Sequence, residues 1–437
     1  MARTLIVGGT VIDTLTGGSR VLDVAIDADR IAAIAPSLAR SPADRVIHAE
    51  GLLVCPGLID PHVHLREPGQ EHKETIASGT AAAVSGGFTT VCCMPNTQPA
   101  LDSPEMVRAV RDRAQETGLC RVFSVAAATR GRHGEEITEI RLLADAGAVG
   151  ISDDGDCVAS AGMMSRVLSA CRQAGLAFMQ HAQEPTLTGG SVMHAGEVAV
   201  RLGLTGWPRE AEEIIVERDV RLNRAIGARY HVQHVSSEGT VEIVRKARQA
   251  GQPVSCEASP HHLLLTHEAC AGGDGHSYDT GAKMNPPLRE AADVAALVKG
   301  VADGTVTVLA TDHAPHTPDE KALDFDSAPF GIIGLEVALS LYAEALVHSG
   351  ATDWVRLVQL MTIEPARLCG LDTRGLGTLV VGGPADVTLI DPNLAWTIDA
   401  ADLAGKSRNT PFLGRRVKGR SVLAMVGGQV RHERSRG

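Results

Sequence analysis

The chain has 437 residues, 44% of them hydrophobic but only 3% aromatic, and a formal net charge of -11. Such a length predicts a large domain plus a smaller unit, with an interior built from Ala, Val, Leu and Ile. The acidic balance, with no Lys/Arg block to follow a phosphate backbone, argues against nucleic acid as a partner, so any anionic substrate must be held by local arginines.

The nine cysteines include adjacent Cys92 and Cys93 but no CxxC pair. They read as reduced core thiols, which points to the cytoplasm. The opening "MARTLIVGGTVID" lacks the apolar segment of a signal peptide, and no stretch reaches the roughly 18 apolar residues of a membrane helix. The expectation is a soluble, unprocessed chain with no membrane partner.

In chain order, residues 1 to about 50 hold short β-rich runs, "TLIVGG", "VLDVAID" and "IAAIA", between Gly, Asp and Pro turns. Residues 377–437 repeat that texture with "GTLVVGGPADVTLID" and "SVLAMVGGQVRH". Neither end makes a stable sheet alone, whereas pairing the two removes both exposed edges. A composite β-sandwich from residues 1–55 and 371–437 is therefore expected. Between them, residues 56–370 alternate short apolar strands with Ala-rich helical segments, the pattern of repeated βα units. Eight strand candidates occur: "LLVCPGLID", "FTTVCCM", "RVFSVAAA", "AVGISDD", "LAFMQH", "RYHVQHVS", "PVSCEAS" and "VTVLATD". Eight predicts an α/β fold of the (β/α)8 TIM-barrel kind, whose chemistry sits where the strands end.

The polar residues obey that rule. His62 and His64 follow the first strand, Asn96 the second, Asp153 and Asp154 the fourth, His181 the fifth, His234 the sixth and Asp312 the eighth. Side chains on a strand alternate, so the HxH pair places both imidazoles on one side, within reach of one cation. Imidazole and carboxylate are ligands that Zn2+ accepts, and four His with two Asp exceed what one tetrahedral ion uses. Two metals are expected, a pair that polarises a carbonyl and acidifies a shared water toward a pKa of about 7. Asp312 in "TDHAPH" has a second expected role, taking the proton of the attacking water. Each element also has a structural alternative: a capped strand-end histidine, an N-cap for Asp312, a turn for Asp153 or Asp154.

"DPHVHLREPGQEHKETIASGTAAAVSGGFTTVCCMPNT", "MNPPLR", "TDHAPH" and "NTPF" together resemble the dihydroorotases of the bacterial class I type, within the amidohydrolase superfamily. The resemblance implies reversible cyclisation of N-carbamoyl-L-aspartate to L-dihydroorotate in pyrimidine biosynthesis. It implies His62, His64, Asp154, His181, His234 and Asp312 as metal ligands, with Asp153 the runner-up to Asp154. Arg66 and Asn96 would hold the substrate carboxylate, Asn285 and His316 would make further contacts, and Phe330 and Gly331 would add backbone contacts. Exposed-loop or turn roles are the alternatives for these residues. Other members bridge their metals with a carboxylated lysine, but no lysine lies between Lys73 and Lys246. "HAQE" departs from the family pattern by placing Gln183 where an acid is expected. His261 and His262 are expected near the ligands, His231 is expected to face the helices, and His48, His133, His348 and His432 the surface. The rival readings are an allantoinase or hydantoinase, and a non-catalytic subunit that scaffolds aspartate transcarbamoylase. The resemblance leaves room for a homo-oligomer and for a transcarbamoylase contact in an active enzyme too.

Overall fold

A computed structural model describes residues 3–434 except 274 and 276. The chain begins with five short strands: β1 (Thr4–Asp13), β2 (Gly18–Asp27), β3 (Arg30–Ala35), β4 (Arg45–His48) and β5 (Leu53–Pro56). Eight barrel strands follow, interrupted by one small excursion. They are β6 (Leu58–Val63), β7 (Phe88–Cys93), β8 (Arg121–Ala126), β9 (Gly150–Ile151) and β10 (Ala177–Gln180). After the two-stranded excursion β11 (Met193–His194) and β12 (Gly206–Trp207) come β13 (Tyr230–Val232), β14 (Val254–Ala258) and β15 (Val308–Leu309). The chain closes with β16 (Val387–Thr397), β17 (Arg416–Val426) and β18 (Gln429–Glu433).

The barrel strands pair in parallel in the order β15-β14-β13-β10-β9-β8-β7-β6. Closure comes just beyond the last strand, where Val63 bridges His313 in parallel and His64 N–H donates to the His313 carbonyl at 2.9 Å. β6, β7 and β10 are fully buried because helices cover their outer faces, and so their sequences read as largely apolar runs rather than alternations. Ser103, Ser160 and Ser237 each cap a helix by accepting a backbone N–H with the side-chain oxygen. Ile59, Cys92, Met94, Val125, Met179 and Val308 fill the barrel below the polar rim.

Both chain ends meet in one eight-stranded sheet, β18-β17-β16-β5-β1-β2-β3, with β4 beside β1. Its pairs are antiparallel except those of β1 with β4 and β5. Ile6, Val24, Ile31, Val54, Leu389 and Met425 share one cluster, so the sheet buries a core of its own. Arg121 at the start of β8 ties the layers together through a two-pronged ion pair with Asp386, at 2.6 and 3.1 Å.

Two sequence expectations need correction here. "LLVCPGLID" is two strands, not one: β5 pairs with β1 and β16, and after Gly57 the chain enters the barrel as β6. The first half of "GTLVVGGPADVTLID" forms no strand; Pro384 makes an isolated antiparallel bridge with Arg30, and the strand begins at Val387.

Candidate metal centre

Six donors from five strand ends converge at the C-terminal rim. His62 Nε2 lies 3.3 Å from Asp154 Oδ1 and 3.4 Å from Asp312 Oδ1. His64 Nε2 lies 3.1 Å from Asp312 Oδ1 and 3.5 Å from Asp154 Oδ2. His181 Nδ1 sits 2.9 Å from His234 Nε2 and 3.6 Å from Asp154 Oδ1. Three overlapping triads, His62/His64/Asp154, His62/His234/Asp312 and Asp154/His181/His234, each bring their donor atoms within 4.8 Å of one another. Of the two adjacent acids, Asp154 enters this cluster. Asp153 turns away and accepts from the Ala128 and Thr129 backbone N–H groups at 2.8 and 3.0 Å and from the Thr129 hydroxyl.

The backbone is bent to make this possible. Arg66, His234 and Asp312 adopt φ of 61°, 27° and 49°. Side chains rarely tolerate that region, and such strain gathers where a site overrides local preference.

Every donor is buried. Burial would pull His62 down, but the carboxylates of Asp312, Asp154 and Glu257 outweigh it and hold the imidazole well above its ordinary range. For Asp154 and Asp312, burial pushes upward and the surrounding histidines, His62 foremost, hold both well below the usual carboxylate range. His62 Nε2 is buried without a hydrogen-bond partner among the described residues. Borderline nitrogen and oxygen donors, one of them orphaned, facing one another across less than 5 Å, fit divalent metal.

Above the donors lies a cavity of about 300 Å³ lined by Arg66, Asn96, Asn285, His316, Phe330 and Gly331, together with the donors other than His62. Arg66 is 8% exposed. Its Nε donates to the Pro315 carbonyl at 3.2 Å, and its Nη2 is 3.2 Å from His316 Nε2. No carboxylate among the described residues forms an ion pair with it. Burial draws it down only to about 10, so it stays charged at neutral pH. Burial, then the Arg66 charge, draws His316 to about 2, so that ring is neutral and donates through Nε2 to the Phe330 carbonyl at 2.8 Å. Asn96 bonds to the donors themselves, its Oδ1 accepting from His64 Nδ1 at 2.9 Å and its Nδ2 donating to Asp154 Oδ2 at 3.2 Å. Gln183 Oε1 accepts from His181 Nε2 at 3.0 Å and from Asn285 Nδ2 at 2.9 Å.

His231 does not face the helices. Its ring bonds Ser255 at 2.8 Å and Glu257 at 3.0 Å, and the other oxygen of Glu257 accepts from His62 Nδ1 at 2.6 Å. Glu257, inside "CEAS", escaped the sequence reading; its only signal was an acid among the small and apolar residues of a barrel strand, Val254–Ala258. His62 and His231 hold it at about 2 against the upward push of burial. Asn409 of "NTPF" was also missed as a contact. It accepts from His316 N–H at 3.0 Å and donates to the Ala314 and Gly331 carbonyls at 2.9 and 3.0 Å. His261 and His262 are buried at the start of the turn after β14, both against Ser259, at 2.8 and 2.6 Å. His432, expected at the surface, is half-buried, whereas His48, His133 and His348 are exposed.

A family model described as "Dihydro-orotase-like" matches residues 51–240. The dihydroorotase of Citrifermentans bemidjiense is 46% identical over 426 residues, covering 98% of both chains. That of Anaeromyxobacter sp. (strain K) is 47% identical, covering 98% of this chain and 97% of its own. Among solved structures, the L-hydantoinase of Arthrobacter aurescens superposes with a TM-score of 0.87 at 26% identity, over 100% of this chain and 97% of its own.

Proposed function

The chain belongs to the dihydroorotase family, and from that premise we propose that it interconverts N-carbamoyl-L-aspartate and L-dihydroorotate, a step of pyrimidine synthesis. The observation that carries the substrate assignment is the buried Arg66 guanidinium, lacking an acidic partner among the described residues, on the wall of the donor-lined cavity. A buried charge without a counterion is costly, and a ligand carboxylate relieves that cost through a planar two-pronged contact. Hydantoins and allantoin carry no such carboxylate, so the same geometry disfavours them.

We assign His62, His64, Asp154, His181, His234 and Asp312 to a pair of zinc ions, because six donors exceed one tetrahedral shell. When bound, such a pair supplies Lewis acidity at the substrate carbonyl and a water acid enough to attack near neutral pH. Arg66 binds the substrate carboxylate, and Asn96, with one face on His64 and Asp154, fixes the height of the ring above them. Asp312 takes the proton of the attacking water and passes it to the leaving ring nitrogen; in ring closure it protonates the departing oxygen. His316 fixes the Phe330 carbonyl, and Gly331 lets the chain pass close to His316, where a Cβ would stand 2.8 Å from its ring. Association with further copies, or with aspartate transcarbamoylase, belongs to the same reading and is tested by sedimentation of the chain alone and mixed with that partner.

The deciding experiment is metal analysis of the purified protein beside turnover of L-dihydroorotate, hydantoin, allantoin and dihydrouracil. The expected result is two zinc per chain and turnover of L-dihydroorotate far above the others, with Asp312→Asn reduced by about 100-fold or more. Preference for an uncarboxylated ring would reassign the substrate.

A further inference from the structure

The segment that brings Phe330 and Gly331 to the cavity, residues 317–331, has one helical turn, Pro318–Lys321, and no strand pairing of its own. Yet most of its last residues are buried or half-buried. His316 and Asn409 hold its end, Lys321 Nζ donates to the Pro329 carbonyl at 2.9 Å, and a second lysine, Lys283, grips the rest. Lys283 is 2% exposed, and among the described residues it has no carboxylate within ion-pair distance. Its Nζ donates to the carbonyls of Phe325 and Asp326 at 2.5 and 3.1 Å and sits over the Phe330 and Phe325 rings, 4.6 and 5.4 Å from their centroids. Its own carbonyl accepts from Gly331 N–H at 2.9 Å. One residue thus grips both ends of Phe325–Gly331, by charge–dipole, cation–π and backbone contacts.

Beyond this grip the contacts run to the substrate wall. The Phe330 carbonyl accepts from His316, whose ring meets Arg66, and Met284 and Asn285 beside Lys283 line the same cavity. An apolar core side chain at 283 would fill the space without the cost of burying an ammonium. The charge therefore calls for a function other than packing.

We propose that Lys283 is a positioning residue for the carboxylate-binding wall: it holds Phe325–Gly331 so that the Phe330 carbonyl, His316 and Arg66 keep the register a substrate carboxylate requires. This rests on the dihydroorotase reading for its substrate but not for its geometry. The test compares metal-loaded wild type with Lys283→Met, which keeps length and apolar bulk, and with Lys283→Gln, which keeps one donor. For each, kcat and KM are measured with L-dihydroorotate, and backbone hydrogen exchange is followed across 317–331.

Lys283→Met should raise KM by about tenfold or more with kcat within about threefold of wild type, the pattern of lost binding rather than lost chemistry. Exchange at Phe325–Gly331 should quicken, and Lys283→Gln should fall between the two. Unchanged exchange in the segment, or a fall in kcat with KM unmoved, would overturn the proposal. Should Lys283→Met not fold, the Gln variant carries the same two readouts. A wild-type enzyme inert toward L-dihydroorotate would sink the substrate assignment instead, leaving the exchange comparison to judge the grip.

Discussion

At Glu257 a single side chain decides how His62 presents itself. Its two oxygens accept from His62 and His231 at 2.6 and 3.0 Å. The Nδ1–H of His62 is thereby fixed, and Nε2, the nitrogen left without a partner, is the one offered to a cation. Such outer contacts set the tautomer and basicity of a ligand, and losing one typically costs about 10–100-fold in metal affinity. Glu257→Gln should therefore weaken zinc binding by about that factor while leaving the fold intact, measured by competition with a chromophoric chelator. Affinity equal to wild type would mean that neighbouring groups fix His62. Gln183 is the corresponding partner of His181 and carries no charge, so the two ends of the donor set are tuned differently.

Where strands begin and end is the scale at which the chain could be read best. Apolar runs located the eight barrel strands, and the His, Asn or Asp closing six of them located the rim, because burial on both faces makes a strand largely apolar and leaves polarity to its end. The same uniformity hid the join at Gly57: "LLVCPGLI" is apolar on both sides of the glycine, so nothing in its pattern separates a strand of the terminal sheet from one of the barrel. Nor could period two aim His231, since a barrel strand has no solvent face to exclude. The division of the chain near residues 56 and 370 remains our proposal, with Gly57 as its hinge point. A Cβ there would fall 1.9 Å from the Thr89 hydroxyl oxygen and 2.3 Å from its methyl. Gly57→Ala should accordingly destabilise the protein by about 1–3 kcal/mol, read as a lower melting temperature with donor geometry preserved. An unshifted melt would show that β7 yields freely at Thr89.

Taken whole, the molecule is stitched from its ends. β16 pairs with β5, which runs straight into the first barrel strand, and Asp386 holds Arg121 at the foot of the third. A chain ending at residue 386 would bare the edge of β5 and the apolar side chains that Leu389 and Met425 cover, among them Ile6, Val24 and Val54, and exposed edges of that kind aggregate. We expect such a chain to lose soluble expression and its cooperative melt; a soluble product with a sharp melt would show that the barrel stands without the terminal layer. That the ends pair was legible from their unmatched β-rich runs. That they reach the chemistry was not, because Asn409 lies in an irregular loop whose hydrogen bonds no periodicity announces.

Asn409 gives this architecture a consequence in time. The residues we propose to bind substrate on His316's side of the cavity are braced by a side chain 93 residues further along the chain than His316. A ribosome must thus translate 93 further residues beyond His316 before that wall can set, and a nascent chain carrying every proposed metal donor still lacks a braced pocket. A nascent chain should gain its grip on substrate only once Asn409 has emerged, however early its barrel begins to form.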